Sequence, residues 1–265
     1  MKKTIITLLT ILSLAGNFVF AQQNARFITS GTIEYQKRVN TFQVMTNVIS
    51  KDADANVKTM MQQQVDQYKK TQAQFATFNS RLSFSNNKML LTPILPAVPY
   101  QSFQLNPISA ESNTIYTDLS AGSIVMAKDA MGEQFLLKDS TRKIKWRIIN
   151  ETRDILGYNC IRANGLVSDS IYVVAYYTDK IRVSGGPELF SGLPGMILQL
   201  AIPHENVSWV ATKISDTAPA TPITPPQKGK PITTKQLIAT IRKSMDAYRR
   251  SGLNVDYYLK ILGLM

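Results

Sequence analysis

The spacing of apolar and polar positions changes several times along the chain, and each change marks an element. Residues 25–39 set Phe27, Ile33 and Tyr35 among Thr and Ser, with Gly31 as a bend, which predicts a strand. Residues 52–78 lack Gly and Pro and carry Val57, Met61, Val65, Tyr68, Phe75 and Phe78 at near-helical spacing. That predicts one long amphipathic helix, or two joined at Thr71–Gln72, with the Met and aromatic stripe packed on the core. Alternation returns over 81–91, where Leu82 and Phe84 are followed by an Asn86–Asn87 turn and then by Met89 and Leu91, a hairpin signal. Pro93, Pro96, Pro99 and Pro107 break regular structure and predict a surface loop.

Short β-like runs follow at 114–117, 123–128 and 133–138, separated by turn signals at Ala121–Gly122 and Met131–Gly132, as in an antiparallel meander. Ile144, Trp146 and Ile148 alternate with Lys145 and Arg147, which predicts one buried and one wet face. The meander continues through 158–167 and 170–178. In the second run Ile171, Val173, Ala175 and Tyr177 share one side, and Tyr172, Val174 and Tyr176 the other. A strand apolar on both sides is expected to be central, or covered by the long helix. Residues 196–202 and 207–214 form a last strand pair around Pro203–Asn206. A proline-rich stretch at 217–231 reads as a linker. Thr233 or Thr234 then caps a helix over 235–250, with Leu237, Ile241, Met245 and Tyr248 at helical spacing, and an apolar tail closes the chain.

The fold expected is α+β: a strongly curved antiparallel sheet, half-barrel-like, with one long helix packed on it and a C-terminal helix beyond the linker. The organisation expected is a signal peptide at 1–21, a β-rich domain at 22–216, the linker at 217–231 and a helical tail at 232–265. The signal reading rests on Lys2–Lys3, the uncharged apolar run that follows and the Val19–Phe20–Ala21 end. That is the order of a cleavable export signal cut after Ala21, which predicts a periplasmic or secreted protein. No later run is apolar and long enough to span a membrane.

Charge narrows the function classes. The chain carries 30 Lys and Arg against 18 Asp and Glu, a formal +12. The basic residues are scattered, which speaks against nucleic acid as a partner. A single cysteine, Cys160, rules out an intramolecular disulfide, and a single histidine, His204, rules out a His-rich metal site. No metal and no cofactor is expected. Cys160 and His204 together are the basis of a rival reading, a hydrolase or thiol enzyme. Glu151 with Asp154, and Asp179 with Glu188, are possible carboxylate pairs that no spacing selects.

The stretch 176–200 reads YYTDKIRVSGGPELFSGLPGMILQL, preceded by WRIINE at 146–151 and ILGYNCIRA at 155–163. This resembles the GLPGLI family of exported Bacteroidetes proteins, whose naming motif stands here as Gly192-Leu193-Pro194-Gly195-Met196-Ile197. The resemblance implies export and no particular chemistry. Read physically, Gly185-Gly186-Pro187 and Gly192-Leu193-Pro194-Gly195 form a rigid double turn between two strands. Such a loop either presents backbone N–H groups to a ligand or partner, or is a shaped crossover whose Phe190 and Leu193 plug the core. Tyr158, Tyr176 and Tyr177 either line an apolar groove or pack internally. The function expected is a non-enzymatic binding module for an apolar ligand or an envelope protein, with the Gly-Pro loop and these tyrosines as its candidate site.

Overall fold

The computed structural model describes residues 27–96, 113–167 and 171–264, the last three by backbone alone. The expected signal peptide, its cleavage after Ala21 and the loop at Pro99 and Pro107 lie outside the described residues.

Among the described residues twelve strands form one sheet: β1 (Ser30–Asn40), β2 (Phe75–Ser85), β3 (Lys88–Ile94), β4 (Thr114–Asp118), β5 (Ser123–Ala130), β6 (Glu133–Ser140), β7 (Lys145–Ile155), β8 (Tyr158–Val167), β9 (Ile171–Thr178), β10 (Met196–Ile202), β11 (Val207–Ser215) and β12 (Lys230–Ile232). The helices among the described residues are α1 (Thr41–Asn47), α2 (Ala55–Thr71), α3 (Thr234–Arg250) and α4 (Val255–Leu264). The order across the sheet is β12-β6-β5-β4-β3-β2-β1-β11-β10-β9-β8-β7. Two antiparallel meanders, β1–β6 and β7–β11, therefore join at the β1–β11 pair, and only β12 pairs in parallel, with β6.

This order forces curvature. In a flat sheet β6 and β7 would stand ten strand spacings apart, about 48 Å. Residues 141–144 join them directly, and a connection of that length reaches about 17 Å. The sheet must therefore curl until its two ends approach, although they do not pair. Apolar residues line up in register inside the curl: Ile214, Ile33, Leu82, Leu91, Ile115, Met126, Leu137 and Ile232 run strand to strand. The six from Ile33 to Leu137 are buried.

The turns follow from their residue types. Asn86 and Asn87 both have positive φ (49° and 61°), the mirror-image hairpin turn that suits strand twist. Asn206 closes the β10–β11 turn at φ 57° after a single 3-10 turn at Pro203–Glu205. Thr233 caps α3 with a full capping box: its side chain accepts from the Gln236 N–H, and the Gln236 side chain reaches back.

Four expectations need correction. The helical stripe ends at Thr71, and Phe75 and Phe78 belong to β2, because the Phe-Ala-Thr-Phe run prefers a pleated surface. The long helix does not cover β9. Instead α2 leans on α1, where Tyr68 meets Phe42 edge-on at 6.2 Å, and on the Gly252 turn against Val57 and Met61. On β7 the expected buried side is incomplete: Ile144 and Trp146 pack on the core, but Ile148 is 53% exposed on an edge strand with a bulge beside it. The proline-rich stretch is also not a free linker to its end, since Lys230–Ile232 adds β12 to the sheet. Beyond it, Leu237, Ile241, Leu253, Val255 and Leu259 enter the same core as Ile33 and Leu82.

Candidate functional site

The Gly-Pro loop between β9 and β10 folds inward. Gly185, Gly186, Pro187 and Gly195 are buried, as are Phe190 and Leu193 at 1% and 2% exposure, and only Gly192 and Pro194 face solvent. The backbone N–H groups are consumed locally: Gly185 bonds Val183 O (2.8 Å), Gly192 bonds Ser184 O (3.3 Å) and Gly195 bonds Leu193 O (2.7 Å). The Ser184 hydroxyl donates to Leu193 O at 2.6 Å, Trp146 Nε1 to Ser191 O at 2.9 Å, and the Tyr35 hydroxyl to Ile197 O at 2.5 Å.

Charge reinforces the loop. The Glu188 carboxylate lies 3.9 Å from the Lys37 ammonium, with both side chains nearly buried, and Arg142 stands near enough to feel it. Burial lowers the Arg142 guanidinium to about 10, and Glu188 holds it up. Arg142 also sits over the Phe190 ring at 5.4 Å, so the β6–β7 connection is clamped to the loop. Three of the four glycine N–H groups of the double turn, those of Gly185, Gly192 and Gly195, are thus bonded inside the loop. The motif shapes the end of the core.

The tyrosines do not converge. Tyr176 and Tyr177 point to opposite faces of β9 and enter different core clusters, and Tyr158 packs against the Tyr176 cluster from the start of β8. Cys160 is fully buried, and burial pushes its thiol up to about 12, with Asp154 adding to the shift. His204 is exposed in the β10–β11 turn. Ile161 pairs with Tyr177 and Ala201 with Val174, so Cys160 stands level with Thr178 and Ile202 with Val173, about 17 Å apart along β9, and His204 lies beyond Ile202. They do not form a catalytic pair. Among the described residues, no three His, Cys, Asp or Glu side chains gather as a metal site.

A different constellation runs in register across the sheet. Register places Arg162, Tyr176, Gln199, Val210, Gln36, Asn79 and Ile94 in one row across seven strands. A second row runs Arg147, Asn164, Val174, Ala201, Ser208, Arg38 and Thr77. Seven strands span about 29 Å. Every residue of the second row is exposed or half-exposed. One end is rigidly built: Glu151 accepts from the Tyr176 hydroxyl (2.5 Å) and from Arg162 Nη1 (2.5 Å), while Arg162 Nε donates to Asn164 (3.1 Å). Arg153 stacks on the Tyr176 ring at 4.4 Å and donates to Gln199 at 3.1 Å. These bonds, that of Tyr176 first and Arg162 next, hold the Glu151 carboxyl below its usual range. The result is a stiff strip of amide, hydroxyl and guanidinium groups with small apolar side chains between them. Sequence reading singled out Glu151 and Tyr176 but not Arg162, Arg153 or Gln199. Their partners lie on other strands, and the one available signal was the polar alternation of Arg162 and Asn164.

Two hollows lie away from this strip. One of about 790 Å³ opens between α1, α2 and the start of α4. The other, about 310 Å³, lies between the β2–β3 hairpin and Pro219–Ile223. Polar residue types predominate around the first and Pro-rich backbone around the second, although carbon atoms supply most of the exposed wall in both, and neither hollow lies between the sheet and a helix.

Residues 96–232 match the family model described as N-glycanase peptide, N-terminal domain. The fold is similar to the structure of PNGF-II in space group P21, with TM-score 0.50 and 15% identity over 82% of this chain and 34% of that one. The structure of PNGF-II in space group C2 is also similar, at TM-score 0.46 and 15% identity, over 82% of this chain and 32% of that one. The chain thus spans about a third of the length of the solved proteins it matches. No curated protein matches the sequence.

Proposed function

The chain belongs to the N-glycanase peptide, N-terminal domain family, and from that premise we propose that it is an exported, non-enzymatic binding module that takes carbohydrate on the strip across its sheet. The observation that carries this reading is the two-row strip across β7–β11, β1, β2 and β3, largely polar, braced at one end and, apart from the buried Tyr176, exposed or half-exposed. Hydroxyl-rich ligands are recognised by amide and charged side chains on a fixed scaffold, with apolar patches for the ring carbons. Asn164, Ser208, Arg38 and Gln199 supply the first, and Val174, Ala201 and Val210 the second. The buried thiol and the distant histidine support a binding role over a thiol enzyme. The likeness of residues 146–200 to the GLPGLI family, and the signal-like start, support export.

Replacing Ala201 with Arg puts a long cation at the centre of the strip while leaving the opposite, core-facing side of β10 intact. Binding to a panel of immobilised N-glycans should fall at least tenfold, with an unchanged circular dichroism spectrum. Undiminished binding by the Ala201→Arg protein removes the strip from consideration.

A further inference from the structure

We infer that the cleft between α1, α2 and the start of α4 is a second ligand site, separate from the sheet face, and that it takes a saccharide bearing a carboxylate. The cleft, about 790 Å³, lies within the range of small-molecule sites, about 300–1,000 Å³. Its floor is fixed by a short ladder between two chain segments. Ser50 N donates to Gly252 O at 2.8 Å, Asn254 N donates to Val48 O at 2.7 Å, and Ile49 bridges Leu253. Such a floor cannot collapse into the hollow without breaking the ladder.

The charge of the lining points to an anion. Lys51 and Lys58 both line the cleft, and no Asp or Glu does. Neither lysine forms an ion pair among the described residues. Of the nearby acids, Asp54 accepts from Asn56 N at 2.8 Å and Asp66 from Gln62 Nε2 at 3.0 Å, while Asp52, next to Lys51 in the chain, is exposed and does not line the cleft. Glu205, on the far side of Tyr257, is engaged by Lys260.

The remaining groups match hydroxyls and a ring face. The Asn47 side-chain oxygen accepts from Gln43 Nε2 at 3.1 Å, and its amide stands against the Tyr257 hydroxyl at the cleft wall. The Tyr257 hydroxyl is buried beside Asn47 without completing a hydrogen bond, and its ring offers an apolar wall. Gln63 adds a further amide. A simple anion would leave Asn47, Gln63 and the Tyr257 ring unused, and a neutral sugar would leave two cations unmatched.

The test is isothermal titration of the protein with trigalacturonate and 3′-sialyllactose, against lactose and inorganic phosphate as controls. At least one acidic saccharide should bind tenfold or more tighter than lactose and phosphate. The double substitution Lys51→Gln/Lys58→Gln, at surface positions that leave the fold intact, should cut that affinity about tenfold or more, two charge-assisted contacts being lost. The Ala201→Arg protein should bind the acidic saccharide normally, which separates this site from the sheet face. No binding of either acidic saccharide, equal binding of lactose, equal binding of phosphate, or no effect of the double substitution overturns the proposal.

Discussion

Replacing Gly195 with Ala tests whether the Gly-Pro loop is a shaped plug. A Cβ at this position would lie 2.1 Å from Thr178 O, 2.7 Å from Thr178 C and 3.1 Å from Asp179 Cα. All three are backbone atoms at the end of β9, where Met196 pairs with Thr178, so none can move without shearing that pair. Overpacking of this kind costs about 1–3 kcal/mol. The backbone sits at φ +155°, which an Ala adopts only under strain, and strain of that sort costs about 1–3 kcal/mol. A combined loss of about 4 kcal/mol is a large share of the 5–15 kcal/mol that holds an ordinary domain together, by order of magnitude. For a chain of this size it corresponds to a fall in Tm of about 8–16 °C. Gly157→Ala is the control, because Gly157 has φ +81° but open space around it, so only the left-handed backbone is penalised, at about 1–2 kcal/mol. Equilibrium urea unfolding followed by tryptophan fluorescence is well suited, since Trp146 bonds the loop at Ser191. If Gly195→Ala lies within about 1 kcal/mol of Gly157→Ala, the close approach does not constrain the native state and the plug reading fails.

Two further predictions concern single groups. Cys160 should resist a thiol-specific reagent in the native protein at pH 8 and react fully in denaturant, because burial holds the thiol near 12; stoichiometric labelling of the native chain contradicts that placement. Glu151, Asp256 and Asp139 all have folded carboxyls below their ordinary values, through Tyr176, Arg242 and Thr234 respectively. Their stabilisation is therefore complete above the unfolded carboxylate range, about pH 4, and is lost as pH falls through the lowered folded values. Thermal unfolding should be flat from neutral pH down to about 5 and should drop below about 4. Glu151→Gln should make that acid slope shallower, and an identical slope in the variant would mean that the Glu151 contacts are not stabilising.

Much of the architecture was legible in the chain. Period-two alternation located β4, β5, β6, β8, β9, β10 and β11, and the Asn86–Asn87 pair marked its hairpin, because side-chain alternation and turn chemistry are local properties. The two-sided apolar pattern of β9 correctly implied an interior strand, which lies between β8 and β10. What covers its second face was not legible. A stripe on residues 52–78 says that a surface is apolar but not which surface receives it, and α2 settled on α1 and the Gly252 turn.

The same limit explains the site. Cys160 and His204 stood out because each is unique in composition, which carries no information about distance. The Gly-Pro loop stood out because its turn chemistry is dense, and its density serves backbone approaches to Met89, Ile197 and Thr178. The polar strip is assembled from residues on eight strands, and each contributes one or two ordinary side chains. Only the β-register, set by tertiary pairing, brings Asn164, Ser208 and Arg38 into line. The cleft at Lys51 and Lys58 is similarly invisible locally, since its floor joins segments around residues 49 and 253.

The most direct test of the carbohydrate reading is an amide chemical-shift titration of the protein with a neutral high-mannose N-glycan. The shifts expected concentrate on Asn164, Val174, Ala201, Ser208, Arg38 and Thr77, one residue from each of six neighbouring strands. Saturable shifts elsewhere with this row unmoved, or no shifts at millimolar glycan, would contradict the assignment of this strip of the sheet as the binding surface.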